Sequence, residues 1–113
     1  MNWYKKLYLG DNVKKKEKKI IRRVERGKPV GTIYLITLAL NPDNLLDIFR
    51  ANLLLRKPLA GMCPMIVGIA EGYQEAVELV RRLVEETWNS RQDTDVRGYL
   101  QSRLEEAAGQ TGE

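Results

Sequence analysis

VGTIYLITLALNPDNLLDIFRANLLLRKPLAGMCPMIVGIA, residues 30–70, is the stretch on which the fold turns. Val30–Leu40 is rich in β-branched and aromatic residues and becomes apolar on both faces, as a strand covered on both sides does. Met65–Ala70 is a second continuous apolar run of the same kind. Between them, Asn41-Pro42-Asp43-Asn44 reads as a helix start, because proline fits the first turn and Asn or Asp can cap it. Leu45, Leu46, Ile48, Phe49 and Leu53 then recur on one helical face up to about Leu55, and Arg56-Lys57-Pro58 breaks it. Strand, helix and strand joined at this length imply a right-handed parallel β-α-β crossover. The expectation is an α/β domain of two or three layers, with parallel strands at about 30–40 and 65–70 and a helix over 43–55 between them.

Working outward toward the C-terminus, Glu71-Gly72 turns the chain into a helix predicted over 73–88. Tyr73, Ala76, Val77, Val80, Leu83, Val84 and Trp88 fall on one face, so Trp88 reads as a core or interface anchor. Glu75, Glu78, Arg81, Arg82, Glu85 and Glu86 fall on the other. Thr94 or Asp95 can cap a last helix over 95–108, within a C-terminal segment of 94–108, and residues 109–113 are expected to fray.

Toward the N-terminus, Trp3, Tyr4, Leu7 and Tyr8 lie at helical spacing, which predicts a short amphipathic turn over 2–9, with a strand as the alternative. A second helix follows over 12–26, carrying Val13, Ile20, Ile21 and Val24 on a narrow face, and Gly27 and Pro29 stop it. Two strands alone make a poor sheet. A third comes either from the N-terminal residues or from a second chain joined edge to edge. The second is the expectation, because the basic helix leaves little chain to spare; self-association as a homodimer follows from it.

With 113 residues the chain holds one domain, 1–113, comprising a basic arm over 1–28 and a core over 29–88. No apolar run reaches the roughly 20 residues of a membrane span. The N-terminal lysines are followed by no apolar stretch, so no export signal is read there and the cytoplasm is the expected location. Cys63 is the only cysteine and histidine is absent. No intrachain disulfide can form, which suits a reducing compartment. A Cys/His zinc site, a Ser-His-Asp or Cys-His nucleophile system and imidazole acid–base chemistry are all excluded within one chain. No catalytic residue, metal ligand or cofactor is nominated, although carboxylate, lysine and tyrosine chemistry stay open.

Charge is unevenly spread. Residues 1–28 carry eleven Lys/Arg against three Asp/Glu, a net +8, while residues 29–113 carry eight against twelve, a net −4. The basic arm is the first candidate site: Lys14, Lys15, Lys16, Lys18, Lys19, Arg22, Arg23 and Arg26, with Lys28 beyond. Lysines at a helix N-terminus oppose the macrodipole, a cost that a nearby anion offsets. Phosphate contacts need charge rather than base-specific geometry, so nucleic acid or another polyanion is the matching partner. The plainer reading makes the arm a solvated face, or packs it beside the acidic face of the 73–88 helix. A third reading lays the N-terminal aromatics into a membrane surface, with the lysines on anionic lipid.

The second candidate is the pair of loops at the C-terminal ends of the two strands, where open α/β sheets bind ligands. One loop offers Asn41, Asp43 and Asn44, the other Glu71, Gly72 and Tyr73. Asp43 and Glu71 could hold Mg²⁺ or act as an acid–base pair. Glu71 repels a phosphate, and the spacing lacks both the G-x-G-x-x-G and the P-loop patterns. Capping Asn and Asp and turn-making Gly explain the same residues as ordinary punctuation.

YKKLYLGD (4–11), the lysine run, YLITLALNPDNLLDI (34–48), IVGIAEGYQEAVELV (66–80) and DVRGYL (95–100) together resemble a family of short intracellular proteins of anaerobic gram-positive bacteria with no assigned function. The resemblance spans nearly the whole chain. It implies a bacterial intracellular protein and no particular activity, cofactor or site residue. The sequence thus favours a non-enzymatic interaction or regulatory module whose basic arm meets an anionic partner. A small enzyme or ligand sensor built on the two loops, and a structural homodimer without external ligand, are the alternatives.

Overall fold

The computed structural model of the chain describes residues 1–39, 44–55, 61 and 63–111, the last five as backbone only. Four strands, β1 (Trp3–Leu9), β2 (Ile33–Leu38), β3 (Leu46–Arg50) and β4 (Ile66–Glu71), form one mixed sheet in the order β1-β4-β2-β3. The two runs of continuous apolar sequence occupy its centre. Leu35 and Ile36 of β2 and Ile66, Val67, Ile69 and Ala70 of β4 are at most 1% exposed. Strands this apolar are stable only with both faces covered, and both are.

One face is covered by α1 (Glu17–Glu25), preceded by a 3-10 turn at Lys14–Lys16, and by a second 3-10 turn at Ala51–Leu55. Val13, Ile20, Val24 and Leu54 pack there on Ile33, Leu35, Ile66 and Ile69. On the opposite face, α2 (Tyr73–Arg91) and α3 (Val96–Thr111) bring Ala76, Leu79, Leu83, Val96 and Leu100 onto Tyr4, Tyr8, Ile36, Val67 and Ala70. The domain is a three-layer α/β fold, and the expected helices over 12–26, 73–88 and 95–108 correspond to α1 with its 3-10 turn, α2 and α3.

Local chemistry sets the helix ends. Gly27 takes a left-handed φ of 66°, with Gly27 N–H donating to the Val24 carbonyl and Lys28 N–H to that of Arg23. This pair of bonds is a Schellman stop. Gly72, at φ 82°, turns the chain from β4 into α2. Asp95 caps α3 by accepting from Gly98 N–H at 3.0 Å.

Three expectations are corrected. First, the strands expected to be parallel are antiparallel, with Ile33 opposite Glu71 and Leu35 opposite Ile69, and residues 46–50 are a strand rather than part of a helix over 43–55. Leu46 and Ile48 pack with the α2-side core and Phe49 with the α1-side core, so the run satisfies a period of two as well as one of 3.6. Pairing with β3 spares β2 an open edge on a strand buried on both faces. The proposed caps Asn41 and Asp43 lie outside the described residues.

Second, residues 3–9 are strand, and the parallel partner of β4 is β1. Tyr4 and Tyr8 enter the α2–α3 side, Trp3 and Leu9 pack with the α1-side core, and Leu7 touches both. Exposed Lys5 and Lys6 interrupt the alternation and leave the apolar positions at spacings that mimic a helix. On an outer strand such lysines also discourage pairing with other chains. The sheet is therefore completed by β1 and β3 of one chain, and no second chain is required for it.

Third, of the predicted face of α2, Trp88 and Tyr73 are 50% and 58% exposed, while Ala76 and Leu83 are buried as expected and are joined by Leu79 and Thr87. Thr87 enters the core because its hydroxyl donates to the Leu83 carbonyl at 2.8 Å. Among the described residues no helix is long and apolar enough to cross a membrane.

Candidate anion-binding surface

Burial of Ile20 and Val24, one turn apart, fixes the rotation of α1 and turns its cations outward. Lys15, Lys18, Lys19, Arg22, Arg26 and Lys28 are all exposed. Lys19, Arg22, Arg23, Arg26 and Lys28 alone line a depression of about 200 Å³. A second, of about 250 Å³, includes Lys16, Lys19 and Arg23 with Pro29, Val30 and Glu71 in its walls. Both contain Lys19 and Arg23, so the two adjoin and make one basic track from Lys16 to Lys28.

Little of this charge is neutralised internally. Lys14 pairs with Asp11 at 3.1 Å and Lys16 with Glu71 at 3.6 Å. Arg23 Nε donates to the Pro29 carbonyl at 2.9 Å. Of the two carboxylates on α1, Glu25 pairs with the N-terminal ammonium and accepts from Trp3 Nε1. Among the described residues, Lys15, Lys18, Lys19, Arg22, Arg26 and Lys28 pair with no carboxylate.

Packing of α1 itself against the acidic side of α2 does not occur, because the two helices lie on opposite faces of the sheet. The arm reaches that side through Tyr8, which donates to Glu86, and Asn12, whose Nδ2 donates to Glu75 Oε2 at 2.7 Å. Three acids of α2 are held by its own arginines: Glu85 by Arg81 at 3.1 Å, Glu86 by Arg82 at 3.2 Å and Glu78 by Arg81 at 3.9 Å. The N-terminal aromatics are not free to enter a membrane. Tyr4 and Tyr8 are 3% and 4% exposed, and Trp3 packs with the core beneath α1.

Of the first candidate loop only Asn44 is described, and it sits apart from the Glu71–Tyr73 loop. Glu71 pairs with Ile33 at one end of β2, and Leu38 pairs with Leu46 at the other, where Asn44 lies. At the Glu71 end two backbone donors are committed, Gly72 N–H to the Thr32 carbonyl and Glu71 N–H to Glu75 Oε1. Tyr73 meets Tyr34 edge to face, with ring centroids 5.8 Å apart. Asn44 borders a depression of about 390 Å³ with Asp93 and Asp95, whose carboxylates are engaged by Arg91 at 3.3 and 3.4 Å. Among the described residues no group of three or more His, Cys, Asp or Glu is placed to hold a metal ion. Burial pushes the Cys63 thiol above its usual range, away from a reactive thiolate.

The structure assembles one polar cluster that the sequence did not suggest. Glu86 Oε1 accepts from Tyr8 Oη at 2.6 Å and Tyr99 Oη at 3.0 Å, and its Oε2 accepts from Arg82 Nε at 3.2 Å. Guanidinium carbons of Arg103 and Arg82 lie 4.9 and 5.3 Å from the Tyr8 ring centroid. Burial, then the bond to Glu86, raises the Tyr8 hydroxyl far above the usual phenol range. Burial also acts to raise Glu86, but bonds from Tyr8, Tyr99 and Arg82 outweigh it and hold the carboxyl below its usual range. The aromatic density of WYKKLYL was the signal available for it, and a helical reading of that segment scattered the partners.

No protein-family model, curated protein or solved structure matches the chain.

Proposed function

We propose that the protein is a non-enzymatic binding module that holds a polyanion, nucleic acid in the first place, along the outer face of α1. The observation that supports this is the continuous basic track from Lys16 to Lys28, most of whose cations pair with no carboxylate among the described residues. Such a track neutralises phosphates and releases their counterions without reading sequence. The N-terminal aromatics are taken up by the core, and no aromatic platform accompanies the track. Stacking of single-stranded bases therefore fits less well than the phosphate backbone of a duplex.

Replacing Lys18, Lys19, Arg22 and Arg26 together with glutamine is expected to weaken binding of a short fluorescein-labelled duplex by at least about tenfold. The slope of log affinity against log salt should shrink by up to about 0.9 for each phosphate that no longer meets a cation. All four side chains are exposed, so the melting transition should stay in place. Fluorescence anisotropy over a salt series reads both quantities, and unchanged affinity and slope would rule the reading out.

We infer self-association as a second, compatible property. Tyr73, Val77 and Trp88 are exposed on one flank of α2, with Val80 and Val84 half-buried beside them. Tyr73 and Trp88, like Val77 and Val84, are equidistant from the midpoint between Val80 and Arg81. Two antiparallel copies about a two-fold axis would set Tyr73 against the second copy's Trp88. Light scattering should give a dimer that Trp88→Glu converts to a monomer. A wild-type monomer at the highest soluble concentration would dismiss this interface.

A further inference from the structure

We infer that the cleft between β1 and the α2–α3 pair binds the phosphate group of a small phosphomonoester, independently of the α1 track. This depression, of about 240 Å³, has Lys6, Tyr8, Lys14, Arg82 and Arg103 in its wall, and no carboxylate lines it. The cations come from four separate elements: β1, the 3-10 turn before α1, α2 and α3. They converge only because residues 3–9 form a strand beside β4.

Two of the four already have acidic partners outside the wall, Lys14 with Asp11 and Arg82 with Glu86. Lys6 and Arg103 have none among the described residues. Arg103 is the more telling of the pair. Its Nη1 is shielded from solvent and lacks a hydrogen-bond partner, a state seldom left unrelieved for a charged donor. Its guanidinium shares the Tyr8 ring with that of Arg82, and two cations on one ring repel unless an anion lies between or beside them. Glu86 supplies that anion for Arg82; Arg103 still needs one. The Tyr8 hydroxyl is committed to Glu86, so the ring acts as an inert wall.

The local balance selects the ligand. Two unpaired cations match a group of charge near −2, which a phosphate monoester carries at neutral pH. A phosphodiester, as in a nucleic acid backbone, carries only one. Donors approaching from four elements suit the several oxygens of a tetrahedral group better than a planar carboxylate, and the arginine fork can engage two of those oxygens at once. The cleft is open, so the remainder of the ligand faces solvent.

The test is thermal unfolding of the full chain with inorganic phosphate and with glycerol 3-phosphate, against diethyl phosphate and against sodium chloride at matched ionic strength. Both dianions should raise the melting temperature saturably, by mass action, and the controls should not. Arg103→Gln should weaken the apparent affinity at least roughly tenfold, as removal of a shielded charged partner does. Lys6→Gln, on an exposed edge position, should weaken it roughly two- to fivefold. The α1 variant with four glutamines should keep the phosphate effect, and Arg103→Gln should keep duplex binding, so each proposal can fail without the other. Stabilisation matched by chloride, or lost in the α1 variant while persisting in Arg103→Gln, would overturn the site. Should Arg103→Gln not fold, unchanged phosphate affinity in Lys6→Gln would overturn it as well.

Discussion

Tyr8→Ala is expected to destabilise the domain by about 3–5 kcal/mol, the range for truncating a large buried aromatic. Tyr8 is 4% exposed and sits where β1, α2 and α3 meet. Its loss opens a cavity that the neighbouring strand cannot close, because β4 is fixed by β1 on one side and β2 on the other. It also removes one of the two tyrosine hydroxyls on Glu86 and the ring that carries two guanidinium groups. Tyr8→Phe separates these contributions. It keeps the ring and loses only the bond to a charged acceptor, for an expected cost of about 1–2 kcal/mol. Urea unfolding of both variants provides the measurement. A cost below about 1 kcal/mol for Tyr8→Ala would mean that residues 3–9 do not form an integral strand.

The second large effect is expected at Glu86. Glu86→Gln keeps the shape but replaces a charged acceptor of three hydrogen bonds, and should cost about 1.5–3 kcal/mol at neutral pH. The pH dependence follows from the depressed carboxyl. A group whose folded pKa lies below its unfolded value contributes fully above the unfolded value, here near 4.5, and loses that contribution as pH falls through the folded one. The stability gap between wild type and Glu86→Gln should therefore hold from neutral pH down to about 4.5 and narrow below it. A gap that stays constant well into acid would show that the carboxylate charge contributes nothing to the cluster.

How far the sequence could be read depended on how many templates each segment fits. Met65–Ala70 is a continuous apolar run and Val30–Leu40 is rich in β-branched and aromatic residues, and the central strands follow them, β2 within the second and β4 running one residue past the first. The helix over 73–91 is long and strongly periodic, so its existence was legible. Its rotation was not: Val77 and Trp88 extend the apolar arc to one side, and only packing shows that Leu79 and Thr87 are the buried edge. Leu46–Arg50 is short enough to satisfy both helical and strand spacing, and the tie was broken by the need of β2 for a partner. For residues 3–9 the paired lysines hid the alternation. That one misreading carried the dimer argument with it, and it hid the Tyr8–Glu86–Arg103 cluster, whose members are up to 95 positions apart in the chain. The basic arm was legible as composition. That its charge stays unanswered required knowing that the sheet stands between α1 and α2.

That intervening sheet has an electrical consequence. Residues 14–28 carry nine cations and two carboxylates, a net +7, whereas residues 73–106 carry five cations and eight carboxylates, a net −3. A nearly chargeless slab of β2 and β4 keeps the two apart, so the molecule is a fixed dipole in addition to a weak net cation. In the field of a densely negative rod or plate it experiences a torque before it makes any contact. The α1 side arrives first, and the α2–α3 side, with its cleft and its aromatic flank, is presented to the solvent behind it.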